Sequence, residues 1–296
     1  MHIPVLLQES LEGLSLQEGG IYVDCTTNRG GHSIEIAKKI GETGTLICID
    51  LDQEALAEAR TNMEKLKKAP KIHFICSNYR FLPQILSDLK IEHVDGILAD
   101  LGVSSQELDD SGRGFSFTKD EPLLMTFTAK PEEDVTTAYD IVNFWSESTI
   151  ADILYGFADE RYARRIARKI VENREATPVE TTFQLVEIIK SAVPVLYQHK
   201  KAHFATRTFQ ALRMAVNDEL GGIGDLVNAL PDVLASKGRA CLISFHSTED
   251  RVVKNGLRTH IDTLKPITKK PIIPSEEEIK NNVRSRSAQL RIVERI

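Results

Sequence analysis

The sequence predicts an α/β protein in which a mostly parallel sheet, covered by helices on both faces, is interrupted by a helical segment. Three observations carry this. Short apolar runs and helix-period stretches alternate over the first hundred residues, the rhythm of βα units. The alternation stops at Gln106 and resumes near Thr206. In between, apolar residues recur at helical spacing without a convincing buried strand. The expected domains are residues 1–105 with 206–296, and an inserted, mostly helical domain over 106–205.

The elements follow in order. IYVDCT (21–26) is the first expected strand, and a helix follows over 33–40. GTLICIDLD (44–52) is the second, after which Ala55, Leu56, Ala59, Met63 and Leu66 recur at helical spacing. KIHFICSN (71–78) and VDGILADLG (94–102) are the third and fourth. In the middle, Ile150, Ile153, Leu154 and Phe157 share one helix face, Ile166 and Ile170 a second, and Leu185, Ile188 and Ile189 a third. Pro178 and Pro194 punctuate them. Phe209, Leu212 and Val216 then suit a helix that meets a break at Gly221 and Gly222. A second helix reaches about Ser236, with Gly238 as its stop. RACLISFH (239–246) is the fifth strand, SEEE (275–278) caps a short helix, and LRIVERI (290–296) is the last strand.

The 296 residues are 42% hydrophobic, enough for one large core or two smaller ones. No apolar run approaches the roughly 18–20 residues of a membrane span. The beginning, MHIPVLLQES, lacks the features of a signal peptide, so a cytoplasmic protein away from membranes is expected. Cys25, Cys48, Cys76 and Cys241 form no C-x-x-C pair and read as free thiols. The histidines show no metal-ligand spacing, and no metal is expected. A net charge of −6 argues against a uniformly basic nucleic-acid binder. The cations nevertheless crowd three segments: Arg161 to Lys169, Lys200 to Arg213, and Lys280 to Arg295. Converging faces of that kind give an acidic protein a local phosphate-binding surface.

The candidate chemistry lies where strands end. Asp24 closes the first strand, Gly30 and Gly31 lie in the following turn, and His32 and Ser33 open a helix. Asp50 ends the second strand, where an acid accepts hydrogen bonds from ribose hydroxyls. The loop lacks G-x-G-x-x-G, which argues against a nicotinamide-dependent oxidoreductase. The fourth strand runs into DLGVSSQELDDSGRGFSF, with Asp100, Ser104, Ser105 and Glu107, then Arg113 between two glycines and the rings of Phe115 and Phe117. Such rings can stack a base taken out of an RNA strand. Arg207, Gln210, Arg213 and Asn217 can share one polar helix face. His246 and Ser247 follow the fifth strand, but no G-x-S-x-G elbow supports a hydrolase.

HIPVLLQE, DCTTNRGGHS, DGILADLGVSS, RGFSF, ATRTFQALR with VNDEL, SFHSTEDR, TKKPI and RSRSAQLR occur in this order along nearly the whole chain. Together they resemble the RsmH (MraW) family, which methylates N4 of a cytosine in the decoding region of bacterial 16S rRNA. The resemblance implies a Rossmann-like, S-adenosylmethionine-dependent methyltransferase domain, with the helical insertion recognising the substrate. It implies cofactor contacts from Gly30, Gly31, His32, Asp50, Tyr79 and Asp100, with Glu107 at a position where many members carry Gln. Asn28 replaces a usual glycine, and Leu124, Thr126 and Thr128 replace two acids and an arginine. Phe204 and Thr248 are further departures. Asn28 is expected to adopt a glycine-like backbone, with Gly30 and Gly31 facing the cofactor. Asp100 is the foremost candidate to accept the N4 hydrogens, with Ser104, Ser105 and His246 behind it. Arg113, Phe115, Phe117, Arg161, Arg165, Arg168 and Arg207 are expected to meet the RNA, in the small ribosomal subunit or its precursor. The rival reading is a non-catalytic rRNA-binding or assembly factor that kept the fold, supported only by the altered 124–128 loop.

Overall fold

The computed structural model describes residues 4–101, 111–128 and 135–296. The chain divides into two units, Met1–Gly102 with Leu220–Ile296, and Val103–Glu219.

The first unit is built on a seven-stranded sheet of order β3-β2-β1-β4-β5-β7-β6. Its strands are β1 (Ile21–Asp24), β2 (Thr45–Asp50), β3 (Lys71–Cys76), β4 (Val94–Asp100), β5 (Leu234–Ser244), β6 (Leu264–Pro266) and β7 (Gln289–Arg295). Neighbours from β3 to β5 are parallel, while β7 runs antiparallel to both β5 and β6. The chain moves outward from β1 to β2 and β3, then returns to place β4 on the other side of β1. This reversal between β1 and β4 is the topological switch point of a Rossmann-like sheet.

Helices α1 (Leu7–Leu14), α2 (Gly31–Ile40), α3 (Gln53–Met63) and α4 (Leu82–Asp88) belong to the N-terminal half of this unit. The apolar runs of the central strands are continuous because both faces are covered. Leu46 and Cys48 of β2 join Leu14, Ile36 and Ile40 in one core, and Ile47 and Ile49 join Ile85 and Leu86 in the other. Asp52 caps α3 by accepting from the Glu54 and Ala55 N–H groups at 2.8 and 3.2 Å.

The second unit packs α5 (Ala138–Phe144), α6 (Glu147–Ala158), α7 (Ala163–Arg174), α8 (Thr182–Ala192), α9 (Val195–Gln198) and α10 (Thr206–Val216). The expected faces meet in one core, where Ile150, Leu154, Ile166, Ile170, Leu185 and Ile189 are buried. Thr137 and Asp140 form a capping box at α5, and Gln184 reaches back to the Thr181 N–H at 3.1 Å before α8. Phe209 and Leu212 of α10 lie in this core as well. The helical unit therefore closes at Glu219, later than the 205/206 boundary expected from the sequence.

Two punctuation readings are corrected. The break after α10 falls at Asn217 and Asp218, the latter at φ 46°. Gly221 and Gly222 lie inside α11 (Glu219–Val233). A Cβ on Gly222 would meet the Tyr79 ring edge and hydroxyl at an ordinary contact distance of 3.6 Å, so the helix accommodates this position without strain. Gly238 does not stop a helix either, because α11 ends at Val233 and β5 begins at Leu234. The pairing with β4 jumps from Val94↔Leu234 to Gly96↔Arg239. Gly238 sits in this bulge, where a Cβ would lie 2.8 Å from the Ala235 carbonyl oxygen. Past β5 come α12 (Ser247–Thr259) and α13 (Glu276–Asn281).

Candidate active site

Two carboxylates, rather than regularly spaced glycines, shape the loop between β1 and α2. Asp24 is buried at the end of β1. Its Oδ2 accepts from Ser33 Oγ of α2 at 2.5 Å, and its Oδ1 accepts from the Thr26 N–H at 3.1 Å. One side chain thus ties both ends of the loop. Asp50, at the end of β2, holds the apex by accepting from the Asn28 N–H at 2.7 Å and the Asp52 N–H at 3.0 Å. Asn28 turns the chain at φ 49°, the left-handed region expected of it. Asparagine enters this region more readily than most residues, and Asn28 Oδ1 accepts from the Arg29 N–H at 2.8 Å. Gly30 follows at φ 88° as the N-cap of α2.

The space beside the two glycines is taken by protein. A Cβ on Gly31 would lie 2.7 Å from Pro4 Cγ, and one on Gly30 would lie 3.4 Å from Ala59 Cβ. His32, named from the family motif as a cofactor contact, is buried with Nε2 3.0 Å from the Val5 carbonyl oxygen. The side chain of His32 therefore seats residues 4–6 against the start of α2.

The electrostatics of the edge are costly. Burial pushes the Asp24 carboxyl up to about 6, and the charge of Asp50 adds to this, while the Ser33 and Thr26 donors oppose it. Burial also raises Asp50. Thr26 Oγ1 accepts from the Asp100 N–H at 2.7 Å, linking the loop to the end of β4. Asp24, Asp50 and Asp100 end β1, β2 and β4 and so flank the switch point, outside whose strand ends ligands of such sheets bind. Asp50 Oδ2 accepts from Asn28 and Oδ1 from Asp52, and the Leu51 N–H also favours the charged carboxylate. A carboxylate oxygen in that state keeps a lone pair for a further donor, such as a ribose hydroxyl.

Tyr79 opens a short 3-10 turn, Tyr79–Phe81, beyond β3. Beside it Arg80 donates from both Nη2 and Nε to Oδ2 of Asp225 in α11, at 2.7 and 2.9 Å. His246 is the N-cap of α12. Fully buried Glu249 reaches back to accept from the Phe245 and His246 N–H groups at 2.8 and 3.1 Å. SFHSTEDR is thereby a strand-to-helix turn, and it keeps His246 at the carboxyl edge near Asp100, whose neighbour across the sheet is Ile243. Ser104, Ser105 and Glu107 lie outside the described residues.

In the helical unit, several residues expected at the RNA are engaged in packing. Arg113 donates to the Thr126 and Phe127 carbonyls at 2.7 and 2.5 Å and lies over the Phe115 ring. Phe115 stacks with Phe127, and Phe117 stacks on His203 at 4.5 Å and meets Phe209 edge-on. Arg207 donates to the Asp159 carbonyl at the end of α6. Arg213 forms a bidentate pair with Glu219 at 2.8 and 3.0 Å, and Asn217 holds the Phe127 N–H and the Met125 carbonyl. Thr126 and Phe204 are buried, so these two family departures fall in the interior. Arg161, Arg165 and Arg168 are exposed at the start and along one side of α7. Arg161, Arg164 and Arg165 line a cavity of about 310 Å³ together with Tyr155, Asp152 and Glu160.

The residue that sequence reasoning passed over is Asp24. It was visible as a strand-ending acid, but its grip on Thr26 and Ser33 leaves no spacing signal in the sequence.

A family model described as the MraW methylase family matches residues 1–296. Ribosomal RNA small subunit methyltransferase H of Thermosipho melanesiensis is 47% identical over 296 residues, covering 100% of this chain and 98% of that protein. The protein of the same name from Clostridioides difficile is 41% identical over 312 residues, covering 100% and 99%. Among solved structures, an rRNA methylase from Streptococcus thermophilus superimposes with a TM-score of 0.46 and 9% identity, over 100% of this chain and 99% of that one.

Proposed function

The chain belongs to the MraW methylase family, and on that premise we propose that it is an S-adenosylmethionine-dependent methyltransferase acting on N4 of a cytosine in the decoding region of 16S rRNA. Its substrate is that rRNA in the small subunit or its precursor, in the cytoplasm; no helix among the described residues is long and apolar enough to cross a membrane. The observation that supports this reading best is the convergence of Asp24, Asp50 and Asp100 on the carboxyl edge at the switch point.

The donor set suits this cofactor, which carries ribose hydroxyls and no phosphate. Asp50 offers acceptors to the hydroxyls, Tyr79 flanks the adenine, and the backbone around Gly30, Gly31 and His32 borders the methionine part. Glu107 belongs on the cofactor side as well. S-adenosylmethionine supplies a methyl group made electrophilic by its positive sulfonium.

The chain must do the rest. The N4 lone pair of cytosine is delocalised into the ring, so the amine needs orientation and a proton acceptor. Asp100 takes a hydrogen bond from the amine, which builds lone-pair character at nitrogen, and receives the proton released as the N–C bond forms. Ser104, Ser105 and His246 orient the other amine hydrogen and the base. Arg161, Arg165 and Arg168 contact the RNA backbone. Arg113, Phe115, Phe117 and Arg207 serve the rigidity of the helical unit.

Calorimetric titration with S-adenosylmethionine, followed by mapping of the methylated nucleotide, tests the reading. One-to-one binding and one N4-methylated cytosine are expected, with binding weakened in D50A and transfer lost in D100N. Failure to bind the cofactor, or binding without transfer to either free rRNA or the small subunit, would overturn it.

A further inference from the structure

The C-terminal cluster of cations divides into two groups in the fold. Arg291 makes a bidentate pair with Asp250 at 2.7 and 2.9 Å. Arg295 donates to the Leu234 carbonyl. These two hold the sheet together. Arg284 and Arg286 are exposed, and neither guanidinium has an anionic partner among the described residues. The same holds for Lys269 and Lys270.

The exposed group stands at one place. Arg284 and Arg286 lie on a 3-10 turn, Val283–Ser287, that feeds directly into β7. Because β7 is antiparallel to β5, its first residue Gln289 pairs with the last residue of β5, Ser244. The turn therefore sits at the carboxyl edge of the sheet, on the side of Phe245 and His246. Asp100 pairs with Ile243, and Ile243 with Leu290. Two strand spacings, about 10 Å, separate the end of β4 from the start of β7. Lys269 and Lys270 occupy an excursion of the chain on the far side of β7, between Ile267, which donates to the Ile292 carbonyl, and Ile272, which exchanges both hydrogen bonds with Leu290 at 2.9 Å.

The turn is held firmly. Asn282 Oδ1 accepts from the Arg284 N–H at 3.3 Å, and Ser285 Oγ donates to the Asn282 carbonyl at 2.8 Å. Ser285 and Ala288 are buried while Arg284, Arg286 and Ser287 face outward. The pattern R-S-R-S-A thus presents two guanidiniums from a fixed backbone, which lowers the ordering cost of meeting a phosphate. Among the described residues these four exposed cations have no anionic partner, and the two arginines stand at the carboxyl edge of the sheet, where a polyanion crossing the site would meet them.

We propose that Arg284 and Arg286, with Lys269 and Lys270 beside them, form a phosphate-binding rim on the sheet unit that holds the RNA backbone next to the target nucleotide. The proposal rests on the rRNA-methylating reading. The rim contributes to RNA affinity and leaves the cofactor site and the chemical step unchanged.

The test uses the full chain with small-subunit rRNA, measuring RNA affinity against salt, cofactor affinity by calorimetry, and KM and kcat for methylation. R284Q/R286Q is expected to flatten the slope of log K against log salt by about 1.5–2. KM for RNA should rise severalfold, while kcat and cofactor affinity stay as in the parent. R284K/R286K, which keeps the charges, should retain most of the slope even if the turn shifts. K67Q/K68Q removes the same charge just before β3, at the opposite edge of the sheet, and should leave the slope unchanged. An unaltered slope and KM in R284Q/R286Q, with methylation intact in the parent, would overturn the rim and leave the function standing. Equal flattening by both pairs would also overturn it, as an effect of net charge alone. A parent protein that neither binds nor methylates the rRNA would overturn the functional reading and the rim with it.

Discussion

Asp24→Asn should stabilise the sheet unit at neutral pH and weaken its grip on the cofactor. Asp24 is buried, and burial is the main reason its carboxyl rises from the ordinary 3.8 to about 6. At 1.36 kcal/mol per pH unit, keeping it ionised at pH 7 costs about 3 kcal/mol. The sign follows from linkage. Below pH 3.8 the group is protonated both folded and unfolded, and no penalty exists. Between 3.8 and about 6 the folded state binds more protons, so stability falls as pH rises. Above about 6 the full penalty applies.

Asparagine is neutral at every pH in this range. Its carbonyl oxygen can accept from the Thr26 N–H, and its amide can donate to Ser33 Oγ. The pull of the Ser33 and Thr26 donors on the charged form is already contained in that shift. The variant should therefore be more stable by about 2–3 kcal/mol at pH 7, with the advantage shrinking to nothing by pH 4. Urea unfolding at a series of pH values, with an unchanged m-value, measures it. Calorimetry on the same protein should show weaker binding of S-adenosylmethionine, since a charge kept at such a cost belongs to a functional site. A D24N protein destabilised by a constant amount at all pH values would refute the reasoning.

Three further outcomes follow from single contacts. Gly31→Ala drives a methyl group to 2.7 Å from Pro4 Cγ and should cost about 1–3 kcal/mol in thermal unfolding; adding Pro4→Ala should recover most of it. Asn28→Val places a β-branched residue at φ 49° and should lower stability by about 1–2 kcal/mol, whereas Asn28→Gly should be close to neutral in the same melt. Glu219→Ala leaves the mostly buried guanidinium of Arg213 without its bidentate partner and should cost the helical unit about 3 kcal/mol in urea unfolding.

Most of the sheet was legible because its central strands are buried on both faces and so read as unbroken apolar runs, whereas the three-residue edge strand β6, with only Leu264 buried, left no such run and was missed. The helical faces of the insertion were legible for the complementary reason, one buried stripe each. The errors came at glycine. Gly221 and Gly222 look like a break, yet both lie inside α11 and the turn is made by Asn217 and Asp218. Gly238 looks like a helix stop, yet it relieves a crowded bulge that exists only because β5 pairs with β4. The second is a tertiary cause that local spacing does not carry. The same limit governs the site. Asp50 was visible by its distance from Gly30, whereas the use of Asp24 depends on Ser33 folding back from α2. Phe115 and Phe117 show the reverse case, since aromatic residues in a polar loop read as a stacking platform until His203, Phe209 and Phe127 arrive from distant positions to pack them.

The charge balance becomes intelligible in the same way. A protein of net charge −6 with a polyanionic substrate has to separate its cations by use. Arg80, Arg213, Arg239 and Arg291 are each paired with a carboxylate of their own unit. Arg113, Arg207 and Arg295 hold backbone carbonyls. Such residues contribute little to binding, because moving them to a phosphate would strand a partner or open a loop. The cations available to RNA are those without such duties or, like Arg168 beside Glu147 at 3.7 Å, with only an exposed pair to exchange, and within the sheet unit the turn before β7 places two of them at the carboxyl edge. Counting arginines along the chain could not have separated these classes, since RSRSAQLR contains members of both. Removing Arg291 should therefore destabilise the sheet, whereas removing Arg284 and Arg286 should leave unfolding unchanged and alter only the response of RNA binding to salt.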